Sequence, residues 1–307
     1  MPPSQLSLRV PAKINPQLRV GPLRPDGYHD ITLVYQAISL YDTLTISHDP
    51  QGPTIEVTGI DRDRIPADAR NLVIKAAHML AGRAEIAPRL HFQLAKSIPT
   101  EAGLGGGSAD AAAALVGCNI LWGLCLSAEE LMAMGAQLGE DVPFFVQGMM
   151  ALGLGHKQPL RTLEPSQHTW HWVLGVPFRG LSTKAVFEKY DEILARFSNN
   201  EEAYSLRRQK CIETAWTFPP EQSVTDLAND LELPSKELLP DIATALEAGR
   251  SAGALGSIMS GSGSTCAFLA RDESHAKELM AGLQKEKVFR EVIAVSGPVA
   301  GVTVASK

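Results

Sequence analysis

The sequence predicts an α+β protein of two domains. Its 307 residues exceed the length of one average domain. Hydrophobic residues make up 45% and charged residues 20%, enough apolar side chain for a sizeable core beneath a soluble surface. Strand-like runs and helix pairs follow one another without the strict alternation of a doubly wound sheet. Composition nowhere shifts sharply, so the element order alone sets a boundary near residue 160, dividing the chain into 1–160 and 161–307.

Leu6, Leu8 and Val10 alternate with polar neighbours, the period of a strand. Pro11 and Pro16 bracket Ala12-Lys13-Ile14-Asn15, which reads as extended chain at a sheet edge, and Gln17-Leu18-Arg19-Val20 resumes the alternation. Arg24-Pro25-Asp26-Gly27 is a turn. Residues 31–40, 43–46 and 54–57 are strand-like. Asn71 caps a helix with Leu72, Val73, Ala76, Ala77 and Leu80 on one side. Residues 89–96 alternate, with Leu90, Phe92 and Leu94 on one face, and feed a glycine-rich loop. A helix over 108–121 follows, its run of four alanines suiting close packing. Ser127-Ala128-Glu129-Glu130 is a capping box that opens the next helix, and Gly139 ends it. Residues 148–155 and 170–177 read as strands, the second with Trp170, Trp172, Leu174 and Val176 on one side. Helices are predicted over 182–197, 224–230, 235–252 and 273–284, and strands over 265–269 and 288–295. The polar stretch 198–222 reads as a helix-containing insertion or a mobile lid.

A net charge of −6 argues against nucleic acid or an anionic membrane as the main partner. No apolar run approaches the length of a membrane span, and no basic segment followed by an apolar one marks a signal peptide. The four cysteines form no CxxC; Cys118 and Cys125 in particular read as small buried hydrophobes in a reducing, cytoplasmic setting. His168 and His171 fall on opposite faces of a strand and make no metal pair.

Gly103, Gly105, Gly106 and Gly107 crowd five positions between a strand and a helix. Glycine admits backbone conformations closed to other residues, and a helix start offers unpaired N–H groups to an anion such as phosphate. The loop fails the Walker template, because Gly107 is followed by Ser108 without a lysine, and it fails the dinucleotide fingerprint, because Ser108 stands where a third glycine belongs. A second small loop, Ser260-Gly261-Ser262-Gly263-Ser264, reads on its own as a flexible turn before a strand.

Taken together, Pro11-Ala12-Lys13-Ile14-Asn15, the loop from Pro99 through Ala112 and the segment from Ser260 to Thr265 resemble the GHMP small-molecule kinases. Arg24-Pro25-Asp26-Gly27-Tyr28-His29, Lys96-Ser97-Ile98-Pro99 and Gly139-Glu140-Asp141-Val142-Pro143-Phe144-Phe145 resemble the branch acting on a cytidine-diphosphate-linked methylerythritol. The resemblance implies an N-terminal ribosomal-S5-like domain and a C-terminal ferredoxin-like domain with the site between them. It implies ATP as co-substrate, Mg²⁺, and a small polyol substrate, in a monomer or homodimer.

Residue by residue, the resemblance makes Asp141 the base and Lys13 its electrostatic partner; their plain alternatives are a helix cap and an edge-strand lysine in solvent. Leu72, Lys96, Pro99, Thr100, Glu101, Ala102, Gly103, Leu104, Gly105, Gly106, Gly107, Ser108 and Ala109 would hold ATP. Ser108 would touch phosphate or Mg²⁺, or simply cap the helix, and Asp110 would meet the helix dipole or Mg²⁺. Glu101 suits a phosphate loop only if it points outward. Asn15, Tyr28, His29, Gly261, Ser262 and Gly263 would hold the second substrate, with Tyr28 stacking on the base. Other GHMP kinases, of the homoserine or mevalonate type, and a non-catalytic nucleotide-binding regulator are the alternatives.

Overall fold

The computed structural model describes residues 4–155, 158–164, 168–196, 201–214 and 220–305. In chain order the strands are β1 (Gln5–Leu23), β2 (His29–His48), β3 (Thr54–Gly59), β4 (Leu90–Lys96), β5 (Met150–Leu154), β6 (Arg161–Thr162), β7 (Trp170–Pro177), β8 (Ala228–Asn229), β9 (Gly256–Met259), β10 (Cys266–Ala270), β11 (Phe289–Gly297) and β12 (Thr303–Val304). The helices are α1 (Leu72–Ala84), α2 (Gly106–Leu121), α3 (Ala128–Leu138), α4 (Val142–Gln147), α5 (Thr183–Leu194), α6 (Glu201–Glu213), α7 (Pro220–Ser223), α8 (Glu232–Leu238), α9 (Asp241–Ser251) and α10 (Glu273–Leu283).

The long strand β1 organises the first sheet. It pairs with β2 along almost its whole length, with β12 near its start and with β8 near its end. The order across this sheet is β12-β1-β2-β4-β3, with β5 and β6 attached to β2. The stretch between the prolines is extended, as expected, and belongs to the one strand β1. A proline withholds an N–H from the ladder, and β1 absorbs that loss at register shifts between Pro11 and Ala12 and between Ile14 and Gln17. The segment 12–15 is paired with a strand on one side only, as the edge reading expects, but it is buried, because the glycine loop covers its other side with the Lys13 amide donating to the Leu104 carbonyl at 3.1 Å; the two strands expected over 31–40 and 43–46 are one strand, β2.

The first core lies between this sheet and the alanine-rich α2 with α1. Leu8, Ile46, Phe92 and Leu94 meet Ala111, Ala112, Ala113 and Ala114 there, all at 1% exposure or less. Alanine's small volume lets the helix lie close to the sheet. The second sheet is antiparallel in the order β11-β7-β10-β9 and packs on α5, α8, α9 and α10 through Val173, Leu246, Phe268 and Leu279. β1 feeds both cores: Leu6 to Ile14 face the first, and Leu18 and Val20 the second. On β7, Trp170, Trp172, Leu174 and Val176 join the first core and Val173 the second, as the alternation predicts.

Asn71 caps α1 by accepting from the Val73 amide at 2.9 Å, and Ser127 with Glu130 forms the capping box of α3, both as expected. Other expectations fail. The predicted helix over 224–230 is a single 3₁₀ turn followed by β8, and the helix over 235–252 is split into α8 and α9 at Leu239-Pro240. The strands β9 and β12 are not apparent from periodicity because they are four and two residues long. Within 198–222, α6 is docked, with Tyr204 and Cys211 buried and the Tyr204 hydroxyl donating to the Asp30 carbonyl at 3.2 Å. Residues 197–200 and 215–219 of the predicted helix and insertion lie outside the described residues. Cys118 is buried as expected, and Cys211 and Cys266 are buried too, but Cys125, expected buried, is exposed, sitting at φ 56° in the turn after α2.

Candidate active site

A cleft of about 1870 Å³ opens where the two cores meet, lined from β1, β2, the glycine loop, α4, α5 and the Ser260 loop. The glycine loop is fixed from below. Gly103 adopts φ +77°, and a Cβ there would lie 2.2 Å from the Ser260 carbonyl; the Ser260 hydroxyl donates to the Gly103 carbonyl at 3.0 Å. Gly105 adopts φ +75°, and a Cβ there would strike the Phe145 ring at 2.5 Å. These two glycines therefore serve loop packing. Gly107 differs: a Cβ would meet only Leu72 Cδ1 at 3.8 Å, so its space belongs to the cleft.

Helix α2 starts at Gly106, capped by Gly105 without a side-chain bond, so the reading of Ser108 as the cap is corrected: it sits in the first turn. Gly105 gives this 16-residue helix no side-chain cap, and Gly106, Gly107 and Ser108 of its first turn line the cleft. Leu104 and Ala109 point into the first core and do not line the cleft, whereas Leu72, Pro99, Thr100 and Ala102 do. Glu101 lines the cleft mouth in an ion pair with Arg64, which offsets the charge of an acid in this loop.

Lys13 and Asp141 come together. Lys13 is 5% exposed, so the solvent-facing reading is overturned, and its Nζ lies 3.9 Å from Asp141 Oδ2. The same Nζ donates to Asn15 Oδ1 at 2.7 Å, while Asn15 Nδ2 donates to the Val34 carbonyl at 3.1 Å. Burial pushes the Lys13 ammonium below its ordinary range, with the Asp141 charge opposing. Asp141 precedes α4 in a helical conformation and makes no cap bond. Its Oδ1 instead accepts from the Tyr35 hydroxyl at 2.8 Å, and burial pushes that phenol well up, with Asp141 adding to the effect. The carboxylate is one-third exposed, open to the cleft. Tyr35 carried no motif; its only signal is a lone polar tip in an apolar run of β2.

Lys96 lines the cleft, but its amine is committed. It donates to Asp110 Oδ2 at 2.7 Å and to Asp42 Oδ2, all three groups being buried. Asp42 Oδ1 also receives the Ser97 and Ile98 amides at 2.6 and 2.9 Å. Asp110 is thus turned from the dipole or metal role toward Lys96; its Oδ1 has no partner, and burial pushes its carboxyl up to about 8.

At the other end of the cleft Tyr28 is 56% exposed and His29 8%. His29 stacks on Phe187 with centroids 5.3 Å apart and meets Tyr190 edge-on at 5.8 Å. Its Nδ1 is 2.8 Å from the Gly21 carbonyl and its Nε2 3.3 Å from Asp191 Oδ1. Phe187 and Asp191 were not singled out in the sequence because they sit on an ordinary amphipathic helix. Gly261, Ser262 and Gly263 line the wall opposite β1; the loop is no free turn, since Asn229 Nδ2 donates to the Met259 and Gly261 carbonyls at 2.8 and 2.7 Å.

The comparisons agree with this architecture. The family model described as GHMP kinases N terminal domain matches residues 71–149, and the one described as GHMP kinases C terminal matches residues 221–288. A 4-diphosphocytidyl-2-C-methyl-D-erythritol kinase of Streptomyces coelicolor is 40% identical over 97% of this chain and 99% of its own length. The kinase of that name from Nocardia farcinica is 43% identical, with 98% and 97% covered. A crystal structure of 4-(cytidine 5'-diphospho)-2C-methyl-D-erythritol kinase superposes with a TM-score of 0.69 at 27% identity, covering 95% of this chain and 98% of that one. Homoserine kinase from Cytophaga hutchinsonii, at a TM-score of 0.71 and 17% identity over 99% and 98% of the two chains, shares the fold. The chain belongs to the GHMP kinases, within their 4-diphosphocytidyl-2-C-methyl-D-erythritol kinase family.

Proposed function

We propose that the protein transfers the γ-phosphoryl group of ATP to the 2-hydroxyl of 4-diphosphocytidyl-2-C-methyl-D-erythritol, in isoprenoid precursor synthesis. The observation that carries the chemistry is the Asp141 carboxylate, oriented by the Tyr35 hydroxyl at 2.8 Å with the Lys13 ammonium 3.9 Å away. A carboxylate so held accepts the proton of an attacking hydroxyl, and the buried cation stabilises the negative charge that builds on oxygen and phosphorus. Transfer is direct and in line. The open first turn of α2, with Gly106, Gly107 and Ser108, supports phosphate binding through backbone amides. Leu72 and Pro99 supply apolar surface beside it. The whole-length similarity to kinases of that substrate supports the acceptor.

Among the described residues no group of three or more His, Cys, Asp or Glu could cage a metal. That suits Mg²⁺, which keeps its waters and rides on substrate phosphates with one or two protein oxygens. The Ser108 hydroxyl at the loop is the oxygen we assign to it, and the ion when bound would neutralise charge on the phosphates.

Phosphoryl transfer from labelled ATP to the cytidyl substrate tests the proposal. Asp141→Asn lowers kcat by roughly 10²–10⁴-fold, the usual contribution of a positioned base, with ATP binding retained. Lys13→Ala lowers it on the order of 10²–10³-fold. Survival of activity in both variants would sink the mechanism, and full activity on homoserine or mevalonate would sink the substrate.

A further inference from the structure

His29 and Asp191 meet side by side at the wall of the cleft. The Gly21 carbonyl can only accept, so His29 Nδ1, 2.8 Å away, carries the ring proton. In the neutral imidazole Nε2 is then a lone pair, and it lies 3.3 Å from Asp191 Oδ1. With the ring neutral, two acceptors face one another; with the ring protonated, Nε2 donates to the carboxylate and the pair is closed to a ligand. The ring cannot turn away, because it is 8% exposed, stacked on Phe187 and held edge-on by Tyr190. The Tyr190 hydroxyl does not relieve the pair, since it donates to the Val20 carbonyl at 2.8 Å. Asp191 is the movable member: it stands on α5 at the cleft margin with 36% of its side chain exposed.

We propose that Asp191 is a specificity-determining residue, the second of two acceptors that select an exocyclic amino group on the substrate's nucleobase. The inference rests on the reading of the substrate as a cytidine diphosphate derivative. An amino group carries two N–H bonds about 120° apart, and acceptors ~2.9 Å from its nitrogen stand roughly 5 Å from each other. His29 Nε2 takes one of these bonds. Asp191 takes the other after a rotamer change that widens the present 3.3 Å contact. The 4-amino group of cytosine meets this requirement. The 4-oxo group of uracil puts a third acceptor against two, leaving buried polar groups unpaired, which is how a hydrogen-bonding site rejects an isostere.

Titration calorimetry of the full-length protein with cytidine 5′-diphosphate and uridine 5′-diphosphate tests this. The wild type is expected to bind the cytidine compound at least tenfold more tightly. Asp191→Asn, whose amide can turn a donor toward a carbonyl, narrows that ratio by tenfold or more, chiefly by gaining affinity for the uridine compound. Asp191→Ala weakens cytidine binding without that gain. A purely structural role would weaken both ligands together and leave their ratio in place. A wild type with no preference between the two overturns the cytidine reading and this inference with it. A wild-type preference that Asp191→Asn keeps within twofold overturns the role of Asp191 alone.

Discussion

Lys13 is the most costly residue of the site to place. Its ammonium is buried with one neutral and one anionic oxygen, and desolvation drags it below the ordinary lysine value of 10.5. Because catalysis needs the charged form, activity is lost as pH rises through that lowered value. The alkaline limb of kcat against pH therefore falls below pH 10.5, and Lys13→Arg, whose guanidinium stays charged, moves it upward while lowering the plateau. An unchanged limb in Lys13→Arg would show that another group titrates. The sign for stability is opposite. A base with a lowered folded pKa weakens the fold while charged, so this group's penalty fades as pH climbs toward 10.5. Much at this scale was legible: Lys13, Asn15 and Asp141 stand in short motifs that carry their chemistry locally. Tyr35, Asp42 and Asp191 were not, because each acts through a partner 54 to 162 positions away in the chain.

The glycine loop divides its labour among its members. Gly103 has the left-handed backbone and no room for a methyl against the Ser260 carbonyl, whereas Gly107 has room. Gly103→Ala costs about 2 kcal/mol or more, from roughly 1–2 kcal/mol of backbone strain plus the clash, and lowers Tm by several degrees. Gly107→Ala leaves Tm within about a degree and raises KM for ATP, since its methyl enters phosphate space and replaces a residue of poor helix propensity. Thermal melts and ATP titrations separate the two; equal Tm losses would show that both glycines serve packing. The loop's position between strand and helix was readable from composition, but this division was not. It depends on the second loop, whose Ser260 hydroxyl, 157 residues later, donates to the Gly103 carbonyl. The prolines of β1 were legible as extended chain, but the register shifts that accommodate them lie against β2 and are non-local.

Across the whole molecule, β11 of the second sheet is tied to the mouth of the phosphate loop. Arg290 donates to both oxygens of Asp61, at 2.9 and 3.3 Å. Asp61 in turn receives the Thr100 amide and hydroxyl, each at 3.1 Å, just before Glu101. Neither Asp61 nor Arg290 stood out in the sequence, 229 residues apart. A bidentate, largely covered ion pair of this kind contributes about 1 kcal/mol. Arg290→Met is thus expected to raise KM for ATP about fivefold with kcat nearly unchanged, and steady-state kinetics showing KM within twofold of wild type would detach this strand from the nucleotide.

The continuity of β1 has one more consequence, which concerns how the chain may be cut. Leu8 and Arg9 are covered by β12 from the far end of the sequence, Gln17 and Leu18 by β8, and the same strand carries Lys13 between two cores. A fragment ending near residue 160 would keep β1 but lose both covering strands, baring the backbone at Leu8, Arg9, Gln17 and Leu18 and the apolar faces of Leu18 and Val20. Expression of either half alone is a recipe for edge-to-edge association, and the permissible breakpoints for a split or circularly permuted version lie in loops that leave this strand and its two late-arriving neighbours together.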